Sequence, residues 1–151
     1  MYLNYSAASI KRTVFVENGL NVIGSAGSFP TGGAMYAVAK GYNNGIWPPD
    51  LIGGVDDDSI PDGPAVHDTI QLFVEDCLFQ RNYINTVTST TKSYAAAIML
   101  WNLNLVWRRV QVLDHTAPRA LGSMIMLMCD ATVEQSTFKN NAVAHGGAFY
   151  I

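Results

Sequence analysis

The chain has 151 residues, 49% of them hydrophobic and 14% charged, with a formal net charge of −3. That is enough apolar material for one small domain with its own core. The balance lacks the basic footprint of a nucleic-acid binder, and the longest apolar runs, 95–101 and 124–129, fall far short of a membrane span.

The opening stretch, 1–18, ends in Phe15-Val16-Glu17-Asn18, and its signal alternates at Thr13 and Phe15, as in a strand with one buried face. No basic start followed by an apolar segment marks a secretory leader. Asn4-Tyr5-Ser6 matches a glycosylation acceptor but falls in this expected strand. Gly24-Ser25-Ala26-Gly27-Ser28 reads as a flexible loop, being neither a nucleophile elbow nor a phosphate loop. Gly32-Gly33-Ala34-Met35-Tyr36 follows, a tight bend that returns the chain to an inner face.

Residues 41–68 are an insertion rich in Gly, Pro and Asp, with Trp47-Pro48-Pro49 and Pro61-Asp62-Gly63-Pro64 as turn chemistry. Long loops of this kind are commonly functional. Its carboxylates, Asp56, Asp57, Asp58 and Asp62, have the oxygen chemistry that calcium takes. Their spacing fits no EF-hand, so a solvated acidic loop is the expectation. Tyr42 and Trp47 have the rings to stack on sugars. The Thr/Ser-rich stretch 85–93 reads as a shorter loop on the same side, and together the two would form a partner-binding surface.

The second half repeats the first. Phe79-Gln80-Arg81-Asn82 and Phe138-Lys139-Asn140-Asn141 match Phe15-Val16-Glu17-Asn18, and Gly146-Gly147-Ala148-Phe149-Tyr150 matches 32–36. Ala95-Ala96-Ala97-Ile98 and Gly122-Ser123-Met124-Ile125 read as worn copies of the glycine half. Residues 1–18 lie over 124–141 without a gap, pairing Ile10 with Val133, Phe15 with Phe138 and Asn18 with Asn141. The stretch Leu105 to Val110 fits the same frame with Val110 in the Phe place and the Asn drifted to Leu113 or Asp114. The step from Val133 to Ser136 breaks the alternation and suggests a corner.

Units of roughly 22–27 residues that go strand–turn–strand–turn predict an all-β fold, a right-handed parallel β-helix of about four coils spanning 1–151 as one domain. In such a stack Phe15, Phe79, Val110 and Phe138 form an interior file. Asn18, Asn82 and Asn141 end strands, where Asn tolerates left-handed angles and can bond from coil to coil. Gly32, Gly33, Gly122, Gly146 and Gly147 let the backbone bend close to its neighbours. Both chain ends fall at the same phase of the unit, which predicts a segment of a longer array whose bare coils associate end to end.

The combination of Phe-x-x-Asn with Gly-Gly-Ala-hydrophobic resembles the repeats of the chlamydial polymorphic outer-membrane proteins, and is similar to right-handed β-helix proteins of the pectin-lyase-like superfamily. Residues 136–148 carry the likeness most fully, and Cys77-Leu78-Phe79-Gln80-Arg81-Asn82 resembles the family's Cys-x-Phe-x-x-Asn form. The resemblance implies a surface-exposed or secreted, non-enzymatic adhesive scaffold whose partners are surface glycans or cell-surface proteins. The third coil, lacking both Asn and Gly-Gly, departs from the pattern.

Catalytic constellations are sparse. His67, His115 and His145 fall at different phases, and Cys77 and Cys129 read as two buried free thiols, so neither a zinc site nor any other cofactor is expected. The alternative function is a fragment of a polysaccharide-degrading lyase or hydrolase, which would need paired acids. Glu75 and Glu134 share a phase but stand about 9–10 Å apart, by the strand spacing, with Val106 expected between them.

Overall fold

The computed structural model describes residues 1–4, 7–22, 33–38, 71–86, 93–101, 103–118, 120–127, 129–143 and 147–150. Seventeen strands and no helix occur among these residues. The first four are β1 (Tyr2–Asn4), β2 (Ala8–Lys11), β3 (Val14–Val16) and β4 (Gly19–Val22). The next set is β5 (Met35–Val38), β6 (Gln71–Glu75), β7 (Leu78–Gln80) and β8 (Tyr83–Thr86). Then come β9 (Ser93–Trp101), β10 (Asn104–Arg108), β11 (Gln111–Leu113) and β12 (Thr116–Ala117). Finally β13 (Ala120–Leu127), β14 (Asp130–Glu134), β15 (Thr137–Lys139) and β16 (Ala142–Val143) precede β17 (Phe149–Tyr150).

The expectation of a single right-handed parallel β-helix is corrected. The strands form four separate parallel sheets, ordered β1-β5-β9-β13-β17, β2-β6-β10-β14, β3-β7-β11-β15 and β4-β8-β12-β16. Among the described residues each sheet is open at both edges and none joins another into one closed solenoid; strands pair only with the strand four places along the chain. We call a run of four consecutive strands a tier.

Corners separate the sheets. Arg12, Asp76, Arg109 and Gln135 turn the chain from the second sheet to the third; Glu17, Arg81, Asp114 and Asn140 turn it from the third to the fourth. All eight have positive φ, between 48° and 57°, and none is glycine. A left-handed residue with a Cβ costs on the order of 1–2 kcal/mol, so each corner needs compensation. Part of it comes from backbone bonds to the next tier: Arg12 N–H donates to Glu75 O, Asp76 N–H to Arg108 O and Arg109 N–H to Glu134 O, at 3.0–3.1 Å. The rest comes from side chains. The hydroxyls of Thr13 and Ser136 and the Cys77 thiol, each just past a corner, donate back to the carbonyls of Lys11, Glu134 and Glu75. The corner expected between Val133 and Ser136 is the one at Gln135.

Register decides two further corrections. Phe15 pairs with Phe79, Phe79 with Val112 and Val112 with Phe138, so Val112 rather than Val110 stands in the Phe place. Val110 is the corner residue level with Cys77 and Ser136, bonded through Val110 N–H to Ser136 Oγ. The Asn place in the third tier belongs to His115, not Leu113 or Asp114. Asn18, Asn82 and Asn141 are also not the left-handed residues; those are Glu17, Arg81 and Asn140, one position earlier.

The core lies between the sheets. Its fully buried members include Met35, Leu72, Val74, Phe79, Ile98, Leu100, Leu105, Trp107, Val112 and Met124. The Phe79 ring stacks on Phe15 at 4.6 Å and on Trp107 at 5.3 Å. One extra residue in β9 shifts the register against β13, where Gly122 faces Ala95 but Met124 faces Ile98. Gly33 enters β5 with its α-carbon against backbone: a Cβ there would lie 2.6 Å from Ala96 O and 3.0 Å from Tyr83 O. Neither carbonyl belongs to a movable side chain, so Gly33→Ala is expected to lower stability by about 2 kcal/mol, read as a lowered chemical-denaturation midpoint. Gly147 instead has φ +52° and open space around it, so its role is conformational.

Candidate binding face

Three files of polar side chains run across the tiers. The first follows the ends of β2, β6, β10 and β14, where Lys11, Glu75, Arg108 and Glu134 are register partners. Charge alternates along it, and Arg108 rather than Val106 stands between the two glutamates. Lys11 Nζ lies 2.9 Å from Glu75, and Arg108 Nε 2.9 Å from Glu134. Arg109, at the next corner, donates to Asp76 Oδ1 at 2.6 Å and to Glu75 Oε1 at 2.7 Å. Hydrogen bonds from Lys11 and then Arg109 hold the Glu75 carboxyl below its ordinary range; Arg109 does the same for Asp76. Arg108 is half-buried and Arg109 exposed, and both guanidiniums are engaged by carboxylates.

The second file points inward. Asn18 N–H donates to Asn82 Oδ1, Asn82 N–H to His115 Nδ1, and His115 N–H to Asn141 Oδ1, at 3.0, 3.0 and 3.1 Å. Asn82 Nδ2 reaches Phe15 O and Asn141 Nδ2 reaches Val112 O, so each amide ties one tier to the one before. His115 copies the acceptor but not the donor. Its Nδ1 receives a backbone N–H, which leaves the proton on Nε2, and Nε2 is buried without a hydrogen-bond partner. Burial lowers the imidazole pKa from 6.5 to about 4.

The third file lies outward at the corner between the third and fourth sheets. Arg81, Tyr83, Asn85, Asp114 and Thr116 line an open cleft of about 400 Å³. Its walls are set by the tiers. Arg81 Nε is fixed by Glu17 Oε1 at 2.8 Å. Asp114 accepts from Gln80 Nε2 at 3.1 Å and Asn140 Nδ2 at 3.0 Å; these bonds, Gln80 first, keep its carboxyl below the usual range. The Tyr83 ring rests on Gly19, where any Cβ would overlap it. The cleft thus offers an aromatic face, a guanidinium, an ionised carboxylate, an amide and a hydroxyl to one ligand. That set suits a polar, hydroxyl-rich molecule held by hydrogen bonds and one ring contact.

Among the expected structural residues, Phe15, Phe79 and Phe138 share one register file, and Asn18, Asn82 and Asn141 another. Gly33, Gly122 and Gly147 are described, whereas Gly32 and Gly146 lie outside the described residues. The whole expected binding loop, 41–68, with Tyr42, Trp47, Asp56, Asp57, Asp58 and Asp62, also lies outside them, as do His67 and His145. Of the two thiols expected to be buried, Cys77 is buried and Cys129 only half-buried, with its thiol donating to Leu127 O at 3.3 Å. No group of three His, Cys, Asp or Glu side chains that could hold a metal occurs among the described residues, and no helix there is long and apolar enough to cross a membrane.

The cleft residues escaped sequence reading, though a signal existed. Arg81, Tyr83 and Asn85 alternate with Asn82 and Ile84, which are interior, and an alternating strand pattern sends alternate residues outward.

No protein-family model matches the chain, and neither the curated proteins nor the solved structures contain a match.

Proposed function

We propose that this chain is a non-enzymatic structural and adhesive scaffold, working at the cell surface or outside the cell, that holds a surface glycan or a cell-surface protein on one face. The observation that carries the reading is how the outer charges are used. Glu17, Glu75, Asp76, Asp114 and Glu134 each hold a cation or an amide of another tier, and the two acids of the Lys11 file are separated by Arg108. Carboxylates engaged in this way serve assembly, and those of Glu75, Asp76 and Asp114 are held below their ordinary range by their partners, whereas glycoside cleavage needs a pair of acids flanking a bond, one of them protonated. Beside them the Arg81–Tyr83–Asp114 cleft supplies binding chemistry on an exposed surface. The likeness of 136–148 to polymorphic outer-membrane protein repeats points the same way.

The chain is expected to be retained on an array of surface glycans, and Tyr83→Ala to weaken that retention roughly two- to tenfold, the worth of one aromatic contact. Gly19→Ala, which displaces the Tyr83 ring, should mimic it. Removal of 41–68 should lower retention as well if that loop shares the face. Retention on no glycan and no cell-surface protein would leave a plain spacer, and reducing ends released from pectin or alginate would instead establish an enzyme.

A further inference from the structure

The first and last tiers expose matching edges. Among the described residues β2, β3 and β4 are paired on one side only, and β14, β15 and β16 on the opposite side only. Each file described above is directional. The charge file starts at Lys11 and ends at Glu134, so its ends carry opposite charges. The Phe file starts at Phe15 and ends at Phe138, both only partly buried. The amide file runs from N–H to side-chain acceptor, so Asn141 presents the N–H end and Asn18 the acceptor end. Large apolar side chains are exposed at both ends, Val14 at 63% and Val133 at 38%.

We propose that a second copy of this chain stacks head to tail, its β2–β4 edge on the β14–β16 edge of the first. Each file then continues as it runs inside the chain. Lys11 of the second copy follows Glu134 and keeps the charges alternating, Phe15 lies on Phe138, and Asn141 N–H donates to Asn18 Oδ1 as Asn18 N–H donates to Asn82 Oδ1. The backbone pattern continues with Gln135 N–H to Lys11 O, as Arg12 N–H goes to Glu75 O, and Asn140 N–H to Val16 O, as Glu17 N–H goes to Gln80 O. One element must move. In the first sheet β17 occupies the edge of β13 that β1 of the second copy would take. β17 holds that edge by two register pairs, Met124 with Phe149 and Ile125 with Tyr150, whereas β1 makes three with β5. The incoming β1 therefore replaces β17. Such a heterologous interface does not close on itself and yields open-ended filaments.

Sedimentation velocity of the 151-residue chain over a dilution series tests this, with thermal unfolding used to show that each variant is folded. Wild type should give concentration-dependent dimers and longer species. Glu134→Lys alone and Lys11→Glu alone should each weaken association about tenfold, the effect of a like-charge contact at an interface. An equal mixture of the two should recover it, since Lys at 134 of one variant then faces Glu at 11 of the other. Phe149→Ala should strengthen association by loosening β17. A wild type that stays monomeric throughout, or a mixture no more associated than its components, would overturn the proposal. Weaker association of Phe149→Ala would overturn the exchange of β1 for β17.

Discussion

Phe79→Ala should cost the fold about 3–5 kcal/mol, the range for truncating a buried aromatic ring. Phe79 has no exposed surface, and its ring is held between Phe15 at 4.6 Å and Trp107 at 5.3 Å. Truncation removes the transfer free energy of the ring and leaves a cavity that stacked strands cannot close, since their separation is fixed by backbone hydrogen bonds. The loss should appear as a lower urea midpoint with an unchanged slope. Phe138→Ala, at the partly buried end of the same file, should cost clearly less. Equal losses at the two positions would mean that the file does not act as a graded core.

Acid should destabilise the protein through His115. Its pKa is about 4 in the folded chain, against 6.5 for the ordinary side chain. Above pH 6.5 both folded and unfolded chains carry it neutral, and its contribution to stability is complete. Between 6.5 and 4 the unfolded chain binds a proton that the folded chain refuses, so stability falls with pH through that window. At 1.36 kcal/mol per pH unit the full loss is roughly 3 kcal/mol. Geometry agrees: a proton on Nδ1 would confront Asn82 N–H, and Nε2 has no partner to offer. His115→Asn should hold or raise stability at neutral pH, since an amide there can both accept from Asn82 N–H and donate to the tier before, as Asn82 and Asn141 do. It should also flatten the fall between pH 6.5 and 4, leaving the loss at lower pH from Glu75, Asp76 and Asp114, whose carboxyls are all held low. Unfolding midpoints of both proteins from pH 4 to 8 check this. A parallel fall in the two would remove His115 as the cause.

Both expectations bear on one structural theme. Side chains at equal register do the same task in each tier, and where the residue type changes, the task is partly lost. Val110 stands where Thr13, Cys77 and Ser136 donate to a carbonyl, and it has no such donor. His115 stands where amides both accept and donate, and it only accepts.

Repetition in the sequence was readable because buried positions tolerate few residue types. Phe15, Phe79 and Phe138, or Asn18, Asn82 and Asn141, recur since each must fit against its own kind in the neighbouring tier. The gapless match of 1–18 with 124–141 is the register itself: Ile10 reaches Val133, and Phe15 reaches Phe138, through the paired strands between them. The third tier misled because Trp107, Val112 and His115 replace the expected residue types, leaving no letter to anchor the frame. That two-residue slip put Val110 in the wrong file and hid Arg108 between Glu75 and Glu134.

What the amino-acid sequence determined alone was strand content, the repeating unit and which side chains are interior, all local properties of alternation and apolar character. Tertiary structure decided the rest. Of the eight left-handed corners without a glycine only the one at Gln135 left a signal in the chain, because their cost is offset by bonds to other tiers. They separate the second sheet from the third and the third from the fourth, and they bring Arg81 and Asp114 to the same cleft. Electrostatics was equally invisible, since the partner of each charge lies some 26 to 64 residues away and is chosen by register rather than by neighbours in sequence.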